Sequence, residues 1–342
     1  MIKAFIKTMD YYLPQKILTN ETLVHEFPEW EVGKIMEKVG INKRHVVSEE
    51  ETASDLAIAA AQKLFDKGIN KEEIDFILFC TQSPDYFLPA SACIIQDKLG
   101  LSKNIGAIDF NQGCSGFVYG LSLAKGLITA NIAKNILLLT AETYTAKLHP
   151  QDKGNRSLFG DGAAAVLIST EGFAEIGEFC LGTDGSGAEN LILKTGAARH
   201  PEKTNKVDFD ENNNPVSPDY IYMNGSEIFS FTLKCIPPLV ESILKKSEIT
   251  QTDVDLFIFH QANKYMLDFL RKKINIEKNK FYMYLSEVGN TVSSTIPIAL
   301  CEALKDNTLQ KGMQIMLVGF GVGLSWGGCM LKLSEEIQEN AS

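Results

Sequence analysis

Asn70–Ser83 reads NKEEIDFILFCTQS, and Thr250–Asn263 reads TQTDVDLFIFHQAN. Set against each other, Asp75 meets Asp255, 180 residues further on. Each stretch is a polar turn followed by a short apolar run, the pattern of a strand buried on both faces. A second pair keeps nearly the same offset. Cys114 opens CSGFVYGLSLAKGLI and Asn290 opens NTVSSTIPIALCEAL, both helix-like, 176 residues apart. A chance likeness of two buried strands explains one pair but not two with matching offsets. A period this long means duplicated halves, not a solenoid. The division is expected at 1–172 and 173–342, with matched loops from both halves meeting at one cleft.

Working outward, strands and helices alternate, which argues for a layered α/β fold. Ile74–Cys80, Asn135–Thr140, Ala163–Ser169 and Gln314–Val318 read as buried strands. Ala53–Asp66 reads as a helix with Gly68 near its end. Val207–Pro218 (VDFDENNNPVSP) reads as a polar surface loop.

The 342 residues carry 45% hydrophobic and 22% charged side chains, as a globular chain with a large core does. The net charge of −10 argues against nucleic-acid or anionic-membrane binding, which reward clustered Lys and Arg. Seven scattered Cys form no CxxC pair and no zinc-spaced cluster, so no metal is expected. Dispersed thiols fit a reducing cytoplasm. The N-terminal MIKAFIKTMDYYLPQK lacks the apolar core of a signal peptide, and no run approaches a membrane span.

Three residues carry the candidate chemistry. Cys114, in DFNQGCSGFVYG, follows a strand-like run and precedes a helix. Unpaired N–H groups at a helix start favour a thiolate. His260 ends the apolar run LFIFH, and Asn290 sits in EVGNTVSSTIP before capping residues. Taken singly, each reads as a packed Cys, a structural His or an N-cap. Taken together, they occupy equivalent strand–helix junctions of the two halves.

Six motifs then appear in order: FNQGCSGFVYGL, LFGDGAAAV, MNGSEIF, HQAN, GNTVSSTIPIAL and GFGVGLSWG. They resemble the β-ketoacyl-acyl-carrier-protein synthase III family, from YLPQKILTN at Tyr12 to Trp326. The Cys–His–Asn set also separates the chain from elongating ketosynthases, which carry Cys–His–His, and from thiolases, which use a second Cys. The resemblance implies a thiolase fold, two pseudo-duplicated halves in a five-layered αβαβα sandwich. It implies an acyltransferase of fatty-acid biosynthesis that condenses an acyl thioester with malonyl-acyl-carrier protein. Cys114 would carry the acyl group. The Cys114 N–H and the turn Gly321–Val322–Gly323 would form an oxyanion hole, and His260 and Asn290 would hold the enolate. Phe229 and Lys38 would border the substrate. Lys264, Arg271, Lys272 and Lys273, on one helix, would meet acidic acyl carrier protein. Asp161, in FGDG, reads as stabilising a turn rather than as a catalytic acid. No cofactor is implied, and the family is homodimeric.

Departures concern the primer. The family's W-I-x-x-R-T-G-I is KIMEKVGI here, with Lys34 and Lys38 at the Trp and Arg positions and Trp30 four residues earlier. After HQAN the family has Leu-Arg, where this chain has Lys264-Tyr265. Lys does not reproduce the fork of Arg. Val322 replaces a Gly. These changes point to an acyl-carrier primer over coenzyme A. Leu88 aligns with a residue that floors the neighbouring subunit's acyl pocket, often Phe, so a longer or branched acyl group is expected to fit. Two other readings stay open: an acyltransferase or specialised condensing enzyme on the same fold, and a non-catalytic carrier-binding scaffold. The intact triad argues against the scaffold.

Overall fold

The structure, a computed structural model, describes residues 2–335 apart from 211–213. Among these residues ten strands form one sheet. They are β1 (Phe5–Tyr12), β2 (Phe76–Cys80), β3 (Gly106–Phe110), β4 (Ile136–Glu142) and β5 (Gly162–Ser169). The others are β6 (Ala174–Thr183), β7 (Leu256–Phe259), β8 (Phe281–Tyr282), β9 (Gln314–Gly321) and β10 (Ser325–Leu333). Their order is β8-β7-β9-β10-β6-β1-β5-β4-β2-β3. One five-strand arrangement is thus written twice. The order β1-β5-β4-β2-β3 becomes β6-β10-β9-β7-β8 when each number is raised by five. Directions repeat as well: β2 and β7 each run parallel to both neighbours, while β5 and β10 are antiparallel to theirs.

The two aligned aspartates do the same work. Asp75 donates its N–H to Asn135 O (2.9 Å) and accepts from Asn135 N at the start of β4 (2.9 Å). Asp255 donates to Gln314 O (2.9 Å) and accepts from Gln314 N at the start of β9 (2.8 Å). Each ties a parallel strand to its neighbour.

Helices complete the layers: α1 (Ala53–Asp66), α2 (Ser91–Lys98), α3 (Gly116–Thr129), α4 (Gly225–Lys246), α5 (Lys264–Lys273) and α6 (Thr295–Lys305). Side-chain alternation along the buried strands divides the core. Ile77 and Phe79 pack with α1 and α2. Leu78 turns the other way and joins α3, α6 and Ile258 in the middle. Phe257 and Phe259 pack outward with α4 and α5. Five layers result: helices, half-sheet, helices, half-sheet, helices. This is the thiolase arrangement that the motifs imply.

Local differences have local causes. The helix after Cys114 starts at Gly116, with Ser115 at its N-cap. Asn290 does not open a helix directly; a 3₁₀ turn (Val292–Ser294) intervenes before α6. Within the expected 207–218 loop, Asp208–Phe209 pairs with Pro215–Val216 as a small hairpin, and 211–213 lie outside the described residues. The Asp161 carboxylate accepts from Val47 N (2.8 Å), Thr145 N (3.0 Å) and Thr145 Oγ1. Its oxygens are spent on holding two loops, as a structural turn requires.

Candidate active site

Cys114 lies in the turn from β3 into α3 and is 5% exposed. The glycines around it are contact positions. A Cβ on Gly116 would stand 2.3 Å from the Cys80 sulfur, and one on Gly321 would stand 2.8 Å from Cys114 Sγ. The end of β9 therefore presses its backbone against the thiol. The backbone N–H groups of Val322 and of Cys114 itself act to lower the thiol. Burial nevertheless pushes the thiol up to about 12, outweighing these donors. The expectation of a resting thiolate is corrected here. The sulfur is desolvated and the helix begins two residues beyond it, so Cys114 rests as a neutral thiol.

His260 follows β7 directly and is 2% exposed. Its N–H donates to Val318 O (2.7 Å), and Nδ1 lies 2.7 Å from Thr295 Oγ1. The ring meets Phe320 edge-on at 5.5 Å, one residue before Gly321. Burial pushes the imidazole down to about 3, so it is neutral.

Asn290 is held by its backbone: its N–H donates to Leu158 O (2.9 Å) and its carbonyl accepts from Gly160 N (3.0 Å). Its Oδ1 accepts from Val292 N (2.9 Å), which leaves Nδ2 without a hydrogen-bond partner among the described residues. Val292 joins the two catalytic candidates. Its N–H fixes Asn290, and its carbonyl accepts from Thr295 Oγ1 (3.1 Å) and faces the His260 ring. It does so at φ 55°, a left-handed conformation that a β-branched residue adopts only at a cost. Nothing in the sequence marks Val292, because β-branching argues against that conformation.

A second group was also not legible. Gln82 donates its N–H to Glu142 (3.0 and 3.1 Å), and its carbonyl accepts from Lys147 Nζ (2.8 Å). Its side chain accepts from Tyr144 OH (2.5 Å) and donates to Asn111 Oδ1 (2.9 Å). Glu142 is fully buried; desolvation raises its carboxyl against the pull of Lys147. These residues come from the C-terminal ends of β2, β3 and β4 and the turns after them, and no sequence spacing connects the three.

The expected periphery is partly brought together. Phe229 packs on Tyr265 (5.6 Å) and Phe269 (5.3 Å) at the surface. Lys38 is exposed, and Lys34 pairs with Glu31 (2.6 Å). Nearby, Lys153 pairs with Glu29 and Arg156 with Glu26, each at 2.5 Å. On α5 the set of free basic side chains is smaller than expected. Arg271 turns inward, donating to Ile276 O (2.9 Å), and Lys264 is paired with Asp268 (2.8 Å). Lys272 and Lys273 remain exposed. Leu88 is 83% exposed beside Phe87 at 80%.

A cavity of about 930 Å³ lies beside Val322, lined among others by Gln82, Asn111, Tyr144, Leu191 and Ile221. Cys114, His260 and Asn290 do not line it. Among the described residues no His, Cys, Asp or Glu cluster could hold a metal, and no helix is long and apolar enough to cross a membrane.

Residues 108–185 match the family described as 3-oxoacyl-[acyl-carrier-protein (ACP)] synthase III, and residues 244–333 match its C-terminal part. A β-ketoacyl-[acyl-carrier-protein] synthase III of Clostridium perfringens is 41% identical over 324 residues, 94% of this chain and 97% of the relative. A crystal structure of a 3-oxoacyl-(acyl-carrier-protein) synthase III superposes with a TM-score of 0.94 at 45% identity, covering 97% of this chain and all of the other. A 3-oxoacyl-(acyl-carrier protein) synthase from Burkholderia xenovorans superposes with a TM-score of 0.89 at 33% identity, covering 97% and 95%.

Proposed function

The chain belongs to the β-ketoacyl-[acyl-carrier-protein] synthase III family, and from that premise we propose that Cys114, His260 and Asn290 perform a decarboxylative condensation. The Cys114 sulfur attacks the carbonyl carbon of an acyl thioester. A new C–S bond forms, the donor's C–S bond breaks, and the donor thiol leaves with the Cys114 proton. Val322 and Cys114 N–H groups stabilise the tetrahedral oxyanion. Malonyl-acyl-carrier protein then binds. Its carboxylate leaves as carbon dioxide, and the electron pair collects on the thioester oxygen as an enolate. His260 Nε2 and Asn290 Nδ2 donate to that oxygen. The enolate carbon attacks the acyl-Cys carbonyl, and the Cys114 thiolate leaves and is reprotonated.

The observation that supports this reading most is the Val292 bridge. It fixes the Asn290 oxygen and so frees the amide NH₂, beside a neutral imidazole. Two neutral donors suit an oxygen that gains charge only during reaction.

The same reading places the chain in the cytoplasm, with all seven cysteines free. Its two duplicated halves are 1–172 and 173–342. It acts as a homodimer in which the exposed Leu88 segment enters the neighbouring subunit's pocket. Lys264, Lys272 and Lys273 meet the carrier protein, while Arg271 supports the helix that presents them. The deciding measurement is carbon dioxide release from malonyl-acyl-carrier protein together with the mass of Cys114 after exposure to acyl donors. Absence of both would refute the reading.

A further inference from the structure

Ser115 follows Cys114 and Ser325 opens β10; they are 210 residues apart, yet their hydroxyl oxygens lie 2.7 Å from each other. Both are buried. Ser115 stands at the N-cap of α3, where a serine ordinarily bonds the helix's own N–H groups, but its side chain makes no capping bond. A buried hydroxyl is costly unless it is bonded elsewhere. Each hydroxyl has one proton to give. That of Ser325 reaches the Val322 carbonyl at 2.9 Å and Gln112 Oε1 at 3.1 Å, while that of Ser115 reaches Gln112 Oε1 at 3.4 Å. The assignment with the shortest contacts is a relay: Ser115 donates to Ser325, and Ser325 donates to the Val322 carbonyl. Val322 lies where such a tether is needed. The ladder between β9 and β10 ends at the pair Gly321–Ser325, so Val322–Gly323–Leu324 forms a turn outside it. Leu324 is pinned by exchanging backbone hydrogen bonds with Asp184 (3.0 and 2.9 Å). The other end of the turn is held by the Ser325 hydroxyl.

Resting on the assignment of Cys114 as nucleophile, we infer that Ser115 and Ser325 are positioning residues that hold the Val322 N–H in register with the Cys114 N–H, so that both donors meet one acyl oxygen. An oxyanion hole works only if its donors stand within hydrogen-bond reach of a single point before reaction. Here the two donors come from separate backbone segments, the turn into α3 and the turn after β9. The segments lie directly on each other: a Cβ on Gly319 would stand 2.8 Å from Ser115 Cα, and one on Gly321 would stand 2.8 Å from Cys114 Sγ. Val322 is then gripped twice. Its Cγ1 lies against Gly113, where an added Cβ would come within 2.4 Å, and its carbonyl is taken by Ser325. The relay does not include the other two candidates. His260 is set by Val318 and Thr295, and Asn290 by Leu158, Gly160 and Val292. Loss of the relay should therefore be felt in acylation and not in decarboxylation.

The test compares the full-length wild type with Ser115→Ala, Ser325→Ala, the double variant and Ser325→Thr. Single-turnover acylation of Cys114 by an acetyl donor is measured beside carbon dioxide release from malonyl-acyl-carrier protein. Ser325→Ala should lower the maximal acylation rate about tenfold, less than the 10²–10³-fold cost of deleting a donor outright, with the half-saturating donor concentration unchanged. Ser115→Ala should cost less, because Ser325 still reaches Val322. The double variant should match Ser325→Ala, because hydroxyls acting in series are not additive. Ser325→Thr, which keeps the hydroxyl, should restore the rate, and carbon dioxide release should stay at the wild-type level throughout. Isotope-edited infrared spectra of the ¹³C-acetylated enzyme give a direct reading of the hole. The acyl-Cys carbonyl stretch should move to higher frequency in Ser325→Ala, as a carbonyl does when it loses a donor. Where Ser325→Ala does not fold, a smaller shift in the same direction in Ser115→Ala decides. An unchanged acylation rate and carbonyl frequency overturn the inference, as does equal loss in both half-reactions without rescue by Thr. Failure of wild-type Cys114 to take an acetyl group from either coenzyme A or carrier protein instead overturns the nucleophile assignment on which the inference rests.

Discussion

Thr295 Oγ1 lies 2.7 Å from His260 Nδ1, closer than its 3.1 Å contact with the Val292 carbonyl. Donation to an enolate requires the neutral ring's proton on Nε2, and in that tautomer the Thr295 hydroxyl turns from the Val292 carbonyl to donate to Nδ1. Thr295 is therefore a positioning residue. Thr295→Val should slow malonyl decarboxylation about fivefold, the cost of one hydrogen bond of roughly 1 kcal/mol. Acylation of Cys114 should be little changed, and Thr295→Ser should restore decarboxylation. Equal loss in both half-reactions, with no rescue by Ser, would mean that the hydroxyl serves only the fold.

His260→Ala and Asn290→Ala should each reduce decarboxylation on the order of 10²–10³-fold, the effect of removing one placed donor. Both variants should still become acylated on Cys114. Cys114→Ala should take no acyl group while keeping its fold. Single-turnover assays of the two half-reactions separate these outcomes, and full decarboxylation by either donor variant would remove that residue from the mechanism.

The two half-reactions should respond differently to pH. Burial holds the Cys114 thiol at about 12, so its thiolate fraction grows tenfold per unit throughout the range below that value. Acylation under single-turnover conditions should rise with pH between 6 and 9. His260, pushed down to about 3, keeps its neutral donor form over the same range. Decarboxylation by the acylated enzyme should therefore be flat. A step in acylation near pH 6.5 would indicate that His260 titrates near its ordinary value and acts as the base.

The donor preference we propose rests on positions 34 and 38, where Lys stands for the family's Trp and Arg. Lys34, Lys153 and Arg156 are each already paired with a glutamate, and no aromatic side chain stands at position 34. Loss of a stacking partner and of a bidentate phosphate clamp weakens coenzyme A binding by roughly 1–3 kcal/mol each. With one acyl group on both donors, acyl carrier protein should acylate Cys114 faster at equal micromolar concentration. Faster reaction with coenzyme A in the wild type would reverse the assignment.

The sequence by itself determined the duplication, the layering and the three candidate side chains. Duplication is legible because equivalent strands keep their spacing: Phe76 and Leu256 open β2 and β7 180 residues apart, each after the same tethering aspartate. Cys114, His260 and Asn290 are legible because they stand at strand–helix junctions, which local patterns mark. Tertiary structure alone decided the state and surroundings of those side chains. The Cys114 thiol is neutral because residues distant in sequence exclude water from it, and desolvation is a sum over all of them. Arg271 turns inward only because Ile276 offers a carbonyl within reach. Gln82, Asn111, Glu142, Tyr144 and Lys147 meet through hydrogen bonds that span up to 65 residues. Val292 takes a conformation its own side chain disfavours because Asn290, His260 and Thr295 together hold it there. Periodicity records which face of an element is buried; it carries no record of which partner waits on the other side.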